Sequence, residues 1–143
     1  MASELQGSLK GGGRNKQEVI IMEATTNEKA MRGIERFLER RGIEILETGW
    51  AHGNDKIDFI ANDDGDLVFI SCTIRTNEGN GLGVEALDRK MFERIAAAYL
   101  AEHLDIPEGT VRHDAVTMLI LGESKALIRY HVNALSEASN DLG

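Results

Sequence analysis

The most informative pattern in the chain is a pair of apolar, β-branched-rich runs on either side of Asp63-Asp64-Gly65-Asp66. An Asp-Gly pair between two such runs is the strongest short-range signal for a hairpin with a two-residue turn. The stretch 56–75 is therefore predicted to be a β-hairpin in which Asp63 lies opposite Asp66.

This register sorts the side chains of the hairpin onto two faces, because successive residues of a strand point to opposite sides. Asp58 is placed opposite Ser71 and Lys56 opposite Thr73, and these four share a face with Arg75. That face becomes polar toward the open end of the hairpin, where we expect a site. The other face is the predicted core face, with Ile57, Phe59, Ala61, Val68, Ile70, Cys72 and Ile74.

Two helices are indicated by apolar residues that recur with a helical period. The first is predicted over 26–41, with a capping pattern at Thr25 and Glu28 and a stop at Gly42. The second is predicted over 84–104.

Three further strands complete the predicted fold, over 43–50, 111–121 and 126–132. A Gly-rich loop at 76–83 lacks the glycine and lysine spacing of a phosphate-binding loop, so it is interpreted as a connection. The order α-β-β-β-α-β-β predicts an α/β (α+β) fold with a mixed β-sheet and flanking helices.

The ends of the chain differ from this central part in composition. Residues 1–17 are polar and Gly-rich, and 136–143 are polar, so both are predicted to be disordered tails around a single domain at 18–135. The short apolar run at 18–22 leaves two interpretations open, an extra edge strand or a lead into the first helix.

Composition and charge restrict the function classes. The chain has 143 residues, 42% of them hydrophobic, and a single Cys, which excludes an intramolecular disulfide. Without an apolar run of membrane-spanning length or a signal peptide at its start, we expect a cytoplasmic protein with no membrane partner. The net charge of -8 argues against a protein that coats nucleic acid indiscriminately.

A local basic patch remains compatible with this charge. Four basic residues are predicted where the third strand and the second helix meet, namely Arg75, Arg89, Lys90 and Arg94. They are candidates for nucleic-acid binding, and the alternative is helix-surface charge balanced by neighbouring acids. The four His are dispersed and lack zinc-site spacing, and no motif for a small-molecule cofactor is present.

Several segments together resemble a known family. They are L-E-R-R-G-I-E-I-L at 38–46, Trp50, I-D-F-I-A at 57–61, L-V-F-I at 67–70, Arg75, Arg89-Lys90, V-R-H-D-A-V at 111–116 and H-V-N-A-L at 131–135. In order and spacing they resemble the YraN-like family of uncharacterised bacterial proteins. The resemblance implies a restriction-endonuclease-like, PD-(D/E)xK fold, in which carboxylates hold Mg²⁺ or Mn²⁺ and a Lys assists phosphodiester cleavage.

The resemblance also implies a degenerate active site. Among the family's acidic and lysine positions only Asp58 is retained, as a weak metal ligand. Lys56 and Ser71 stand where the family has Glu, Thr73 stands where it has Lys, and Met31 stands where the first helix has Glu.

Three hypotheses follow. The leading one is a nuclease-fold protein that has lost metal-dependent cleavage, needs no cofactor, and acts as a module that binds DNA, RNA or a protein. The second is an active Mg²⁺- or Mn²⁺-dependent endonuclease that uses Asp58 with a relocated Lys56, to which Asp55 or His52 adds a ligand. The third is a purely protein-interacting domain, which the acidic composition favours.

Overall fold

The computed structural model describes residues 4–9, 16–21, 27–76, 88–122 and 125–135, with side chains from residue 27 onward. These residues form seven strands and two helices. In chain order they are β1 (Glu4–Leu9), β2 (Lys16–Ile21), α1 (Asn27–Arg40), β3 (Glu44–His52), β4 (Asp55–Asp63), β5 (Asp66–Arg75), α2 (Arg89–Glu102), β6 (Val111–Ile120) and β7 (Lys125–His131).

The strands form one mixed sheet in the order β1-β2-β7-β6-β5-β4-β3. β5 and β6 run parallel, and the other neighbours run antiparallel. From residue 27 onward the element order is α-β-β-β-α-β-β, so the predicted α/β (α+β) fold with a mixed sheet is confirmed. Parallel pairing of β5 with β6 requires a crossover, and α2 lies in that connection.

Apolar side chains form two cores. The first, here the α1 core, includes Ala30, Ile34, Phe37, Leu38, Phe59, Ile70, Val116, Met118, Ile128 and Tyr130. The second, here the α2 core, comprises Ile57, Ile60, Leu67, Phe69, Ile95, Ala96 and Tyr99. The central strands are apolar on both sides because each face packs against its own core.

The hairpin of β4 and β5 has the predicted turn. Asp64 and Gly65 have positive φ angles of 55° and 95°, as a two-residue hairpin turn of the mirror-image class requires. Asp63 pairs with Asp66, and the register holds as far as Phe59 and Ile70. The prediction is therefore confirmed near the turn.

The prediction is wrong at the open end of the hairpin. The predicted pairs Asp58–Ser71 and Lys56–Thr73 lie beyond the last ladder pair, Phe59–Ile70, although β4 continues to pair with β3 on its other side, with Lys56 opposite Ala51. Ile57 was expected on the core face with Phe59, but it is buried in the α2 core. The strict alternation along β4 is therefore interrupted between Ile57 and Phe59.

The N-terminus also differs from its prediction. Within 1–17, where a disordered tail was predicted, Glu4–Leu9 forms a strand and β2 begins at Lys16. β2 pairs along β7 from Lys16 opposite Tyr130 to Ile21 opposite Lys125, so residues 18–21 of the apolar run belong to a strand. The composition of the N-terminus did not predict these strands, because their pairing satisfies backbone groups at the edge of β7.

The second helix begins later than predicted. Residues 84–87, like most of the Gly-rich loop, lie outside the described residues, as does the predicted tail at 136–143. Asp88 caps α2, and its carboxylate accepts a hydrogen bond from the Met91 amide at 2.8 Å. Within the described ranges neither helix combines the length and apolar character needed to cross a membrane.

Candidate functional site

The sheet opens where β4 and β5 stop pairing. The ladder between them ends at Phe59 and Ile70, while β5 continues beside β6 as far as Arg75. Asp58 and Ser71 are the first residues beyond that ladder. At this end of the hairpin β4 therefore separates from β5. The opening lies between β4 on one side and the paired strands β5 and β6 on the other.

Asp58 is bonded across this opening. Its half-buried carboxylate accepts a hydrogen bond from the backbone N–H of Cys72, with Oδ2 2.7 Å from the nitrogen. The Asp58 side chain therefore accepts the hydrogen bond that a backbone carbonyl of β4 would accept in a regular ladder. Burial and then the charge of Asp58 raise the pKa of the Cys72 thiol well above the usual value, which disfavours the thiolate.

Ser71 is bonded to a buried histidine. Its Oγ lies 2.8 Å from His113 Nε2, and the direction of donation depends on the tautomer. His113 stacks on Phe92 of α2, with ring centroids 5.6 Å apart. Burial lowers the pKa of His113 to about 4, although Asp114 partly opposes the shift, so the ring is neutral at pH 7. Its Nδ1 has no hydrogen-bond partner within the described part of the chain.

These residues do not fit a magnesium site. Mg²⁺ is recruited by carboxylate charge and takes oxygen ligands. At the opening Asp58 is the single carboxylate that the predicted site retains, and Ser71 contributes a neutral oxygen that already contacts His113. No group of three His, Cys, Asp or Glu side chains suited to a metal occurs among the residues described.

The predicted basic residues fall into different environments. Arg94 forms a two-pronged ion pair with Asp55, at 2.8 and 2.9 Å. This hydrogen bonding lowers the pKa of Asp55 and raises that of Arg94. Both Asp55 oxygens therefore accept hydrogen bonds from the Arg94 guanidinium. Arg89 and Lys90 are exposed on the first turn of α2.

Two side-chain contacts bring α2 to the opening. Phe92 touches His113, the partner of Ser71, and Arg94 holds Asp55, where β4 begins. Lys56 is exposed next to Asp55, whereas Thr73 and Arg75 are half-buried on β5. The structure therefore brings β4, β5 and the first turns of α2 together.

An aromatic pair lies on the neighbouring edge strand. Trp50 and His52 of β3 are stacked, with centroids 6.2 Å apart and ring planes inclined by 8°. His52 is exposed and Trp50 half-buried. This contact covers one face of the His52 ring and does not involve its nitrogens, whose bonding directions lie in the ring plane.

Sequence comparison gives the family. The model of the uncharacterised protein family UPF0102 matches residues 32–118. The chain belongs to this family. It is 35% identical to a UPF0102 protein of Roseiflexus castenholzii over 108 residues, which are 72% of this chain and 86% of the relative. It is 36% identical to one from Chlorobaculum parvum over 107 residues, 72% and 82% of the two chains.

A UPF0102 protein of Beutenbergia cavernae is similar over a shorter range, at 36% identity over 87 residues, 59% of this chain and 73% of the relative. UPF0102 is the family with YraN-like members, so the resemblance seen in the sequence is confirmed. The match includes the opening at Asp58 and Ser71 and reaches into β6.

In this UPF0102 chain the Arg-His-Asp segment of β6 forms a network that sequence reasoning missed. The Arg112 guanidinium donates to Asp63 at 2.5 Å, to Asp66 at 2.6 Å and to Asp114 at 3.1 Å. The Arg112 side chain is only 10% exposed and that of Asp114 is fully buried. Burial alone lowers the pKa of Arg112, but the hydrogen bonds to Asp114 and Asp63 outweigh it and raise the value.

Asp114 extends this network to the end of β7. It accepts hydrogen bonds from the Tyr130 hydroxyl and, at 2.9 Å, from the backbone N–H of Asn133, whose φ is 57°. The network therefore ties the β4–β5 turn, β6 and the chain after β7 together. The sequence does contain a signal for this network, since Arg112 and Asp114 are charged residues within a run that is otherwise apolar and predicted to be buried. Buried charges need partners, so such residues indicate an ion pair.

The UPF0102 chain also has an apolar groove at the opposite end of the hairpin. The groove encloses about 720 Å³, and its lining includes Leu46, Leu67, Leu100, Ile106 and Val111. Gly65, in the turn between β4 and β5, is also part of the lining, whereas Asp58 and Ser71 are not. The groove and the opening are therefore separate features.

Proposed function

We propose that this UPF0102 protein has a nuclease fold, binds nucleic acid, and no longer cleaves phosphodiesters by a metal-dependent route. The observation behind the proposal is the chemistry of the opening. The one retained carboxylate, Asp58, is bonded to a backbone amide, and Ser71 is bonded to a neutral His113.

The loss of cleavage follows from charge. Metal-dependent hydrolysis needs a cation that polarises the phosphate and lowers the pKa of a bound water. Carboxylates supply the charge that holds such a cation, whereas Ser71 and Thr73 are neutral and Lys56 is positive. With Asp58 as the sole retained acid, the site lacks the charge to retain Mg²⁺ or Mn²⁺ at millimolar concentration.

Binding is supported by the position of three exposed cations. Lys56, Arg89 and Lys90 are exposed where β4 begins and α2 begins, and the Arg94–Asp55 pair links these two elements. Each cation that neutralises a phosphate releases a counterion, which favours binding even when the net charge is -8. The remaining acidic surface would limit binding to this region.

The binding test measures fluorescence anisotropy of labelled single-stranded DNA, duplex DNA, branched DNA and RNA at several salt concentrations. We expect affinity to fall as salt rises, and the double variant Arg89→Ala/Lys90→Ala to reduce the slope of log K against log salt by about 1.4 to 1.8. The matched control is Arg32→Ala/Arg40→Ala, which removes two exposed cations from α1.

Two results would contradict the binding proposal. One is the absence of binding to every nucleic acid at low salt, which would favour the protein-interaction hypothesis. The other is an equal effect of the α1 control, which would indicate a nonspecific charge effect.

The cleavage test incubates the same substrates with Mg²⁺ or Mn²⁺ and compares the wild type with Asp58→Asn. We expect no cleavage by either protein. Cleavage by the wild type that Asp58→Asn abolishes would overturn the proposal and support an active endonuclease that uses Asp58 with Lys56.

A further inference from the structure

We propose that Trp50 and His52 form a stacking surface for an unpaired nucleobase, so that the preferred ligand is single-stranded nucleic acid or an unpaired end. This inference rests on the proposed function and adds the class of ligand. The two residues are two apart on β3, so they point to the same side of the sheet. Their ring planes differ by 8°, and His52 is the exposed member.

The Trp50 ring is held from below by the α2 core. Its edge-to-face contact with Tyr99 has a centroid distance of 5.2 Å and an angle of 87°. Tyr99 is buried, and its hydroxyl donates to Glu47 at 3.3 Å. On its other side Tyr99 stacks on His103 at 3.9 Å. Trp50 is therefore fixed before any ligand arrives, and little side-chain entropy is lost on stacking.

Core packing alone explains the position of Trp50 but not that of His52. A histidine that is exposed on an edge strand has no apolar surface to bury, yet its ring lies nearly parallel to the indole. Two nearly parallel rings at a sheet edge, of which His52 is exposed, offer flat π surface of the kind on which bases stack in single-strand binding proteins.

The charges around the pair suit a phosphate backbone. Ala51, between the two aromatic residues, pairs with Lys56, so this cation lies on the neighbouring strand but projects from the opposite face of the sheet. Asp55, which pairs with His52, is neutralised by Arg94. The same strand β4 then leads to the opening at Asp58, which makes the stacking surface continuous with the proposed binding region.

Unpaired bases fit this surface better than a duplex. In a duplex the faces of each base are covered by their neighbours, whereas a single strand exposes them for stacking on aromatic side chains. We therefore expect affinity to depend on the presence of bases, and not only on the number of phosphates.

Trp50 allows a direct test, because it is the single Trp of the chain and intrinsic tryptophan fluorescence reports on it alone. The probes are a thymidine oligonucleotide, an abasic oligonucleotide of the same length and charge, and a duplex. We expect the thymidine strand to quench Trp50 and to bind about tenfold more tightly than the abasic strand, as measured by anisotropy. The abasic strand should bind without quenching.

The variants His52→Ala and His52→Tyr separate stacking from folding, since His52 is exposed. We expect His52→Ala to weaken thymidine binding several-fold and leave abasic binding unchanged, and His52→Tyr to retain thymidine binding. Thr48→Ala, also exposed on β3, is the matched control and should have no effect.

The outcomes distinguish the two proposals. Equal affinity for the thymidine and abasic strands, without a change in Trp50 fluorescence, would overturn the stacking surface and leave the binding function intact. No anisotropy change with any probe would overturn the binding function and the stacking surface with it.

Discussion

The carboxylate of Asp58 and the backbone amide of Cys72 are joined by a 2.7 Å hydrogen bond just beyond the last ladder pair of β4 and β5. This bond ends the regular pairing and closes the opening at its inner end. The Asp58 carboxylate therefore satisfies a half-buried N–H that the ladder leaves unpaired.

The first prediction concerns this bond. Asp58→Ala should lower the free energy of unfolding by about 1–3 kcal/mol, because the Cys72 amide loses its acceptor. Asp58→Asn should cost less, about 1 kcal/mol or below, because the amide oxygen still accepts. Urea denaturation measures both. Equal losses for the two variants would show that the charge of Asp58, and not its bond to Cys72, matters for stability.

The second prediction concerns the network around Arg112. Arg112→Ala should cost about 3–5 kcal/mol, because the fully buried carboxylate of Asp114 loses its counter-charge. Arg112→Lys should recover only part of this loss. It restores the positive charge, but one ammonium cannot replace the planar guanidinium that reaches three carboxylates. Thermal and urea unfolding provide the measurement.

The control for this network is Arg32→Ala on α1, where an exposed ion pair with Glu28 spans 3.9 Å. Exposed pairs of this kind contribute about 0.5 kcal/mol or less. A similar loss for Arg32→Ala and Arg112→Ala would contradict a special role of the buried network.

The sequence was sufficient for features with local causes. The Asp64-Gly65 turn, the register from Asp63 to Phe59, and the order of the elements after residue 27 all follow from turn chemistry and periodicity. These signals lie within a few residues of the structure that they determine. The distant parts of the chain therefore do not change the outcome.

Long-range bonds could not be predicted in the same way. The end of the β4–β5 ladder depends on a bond between Asp58 and Cys72, 14 residues apart. The pairing of Ser71 with His113 spans 42 residues, and that of Arg112 with Asp63 spans 49. Extrapolation of the hairpin register past Phe59 failed because the Asp58 side chain, and not a backbone carbonyl of β4, accepts the hydrogen bond of the Cys72 amide.

The third prediction is a pH dependence caused by His113. Its folded pKa of about 4 lies below the ordinary value of 6.5, so the unfolded chain binds the extra proton between these values. The stability is therefore complete above pH 6.5 and falls as the pH decreases toward 4, by about 3 kcal/mol. Above pH 7 His113 should have no effect on the slope.

Urea unfolding from pH 4 to 8 tests this with His113→Gln, which cannot titrate. The wild type should lose more stability than His113→Gln below pH 6.5, while the carboxylates titrate in both proteins and cancel in the difference. His52→Gln, at an exposed position, is the control and should follow the wild type. Parallel curves for the wild type and His113→Gln would refute the shifted pKa.

The last prediction is that two substitutions can build a cation site at the opening. Ser71→Glu/Thr73→Lys would place a second carboxylate beside Asp58 and an ammonium two residues further along β5. Without metal the two acids should destabilise the fold, because like charges repel in a half-buried region. Mn²⁺ should reverse this and raise the unfolding temperature, since a ligand that binds the folded state stabilises it by mass action, by about 2.7 kcal/mol at a hundred times its Kd.

In the matched variant Ser71→Gln/Thr73→Lys the Gln side chain has nearly the same size as Glu but carries no charge. Mn²⁺ should therefore leave the unfolding temperature of this variant unchanged. The wild type should behave in the same way, because Asp58 alone does not supply enough negative charge to hold the ion. If Mn²⁺ stabilises the wild type as strongly as the Glu variant, the native opening already holds a metal and the loss of cleavage must have another cause. The comparison therefore separates a missing metal ligand from a missing catalytic group.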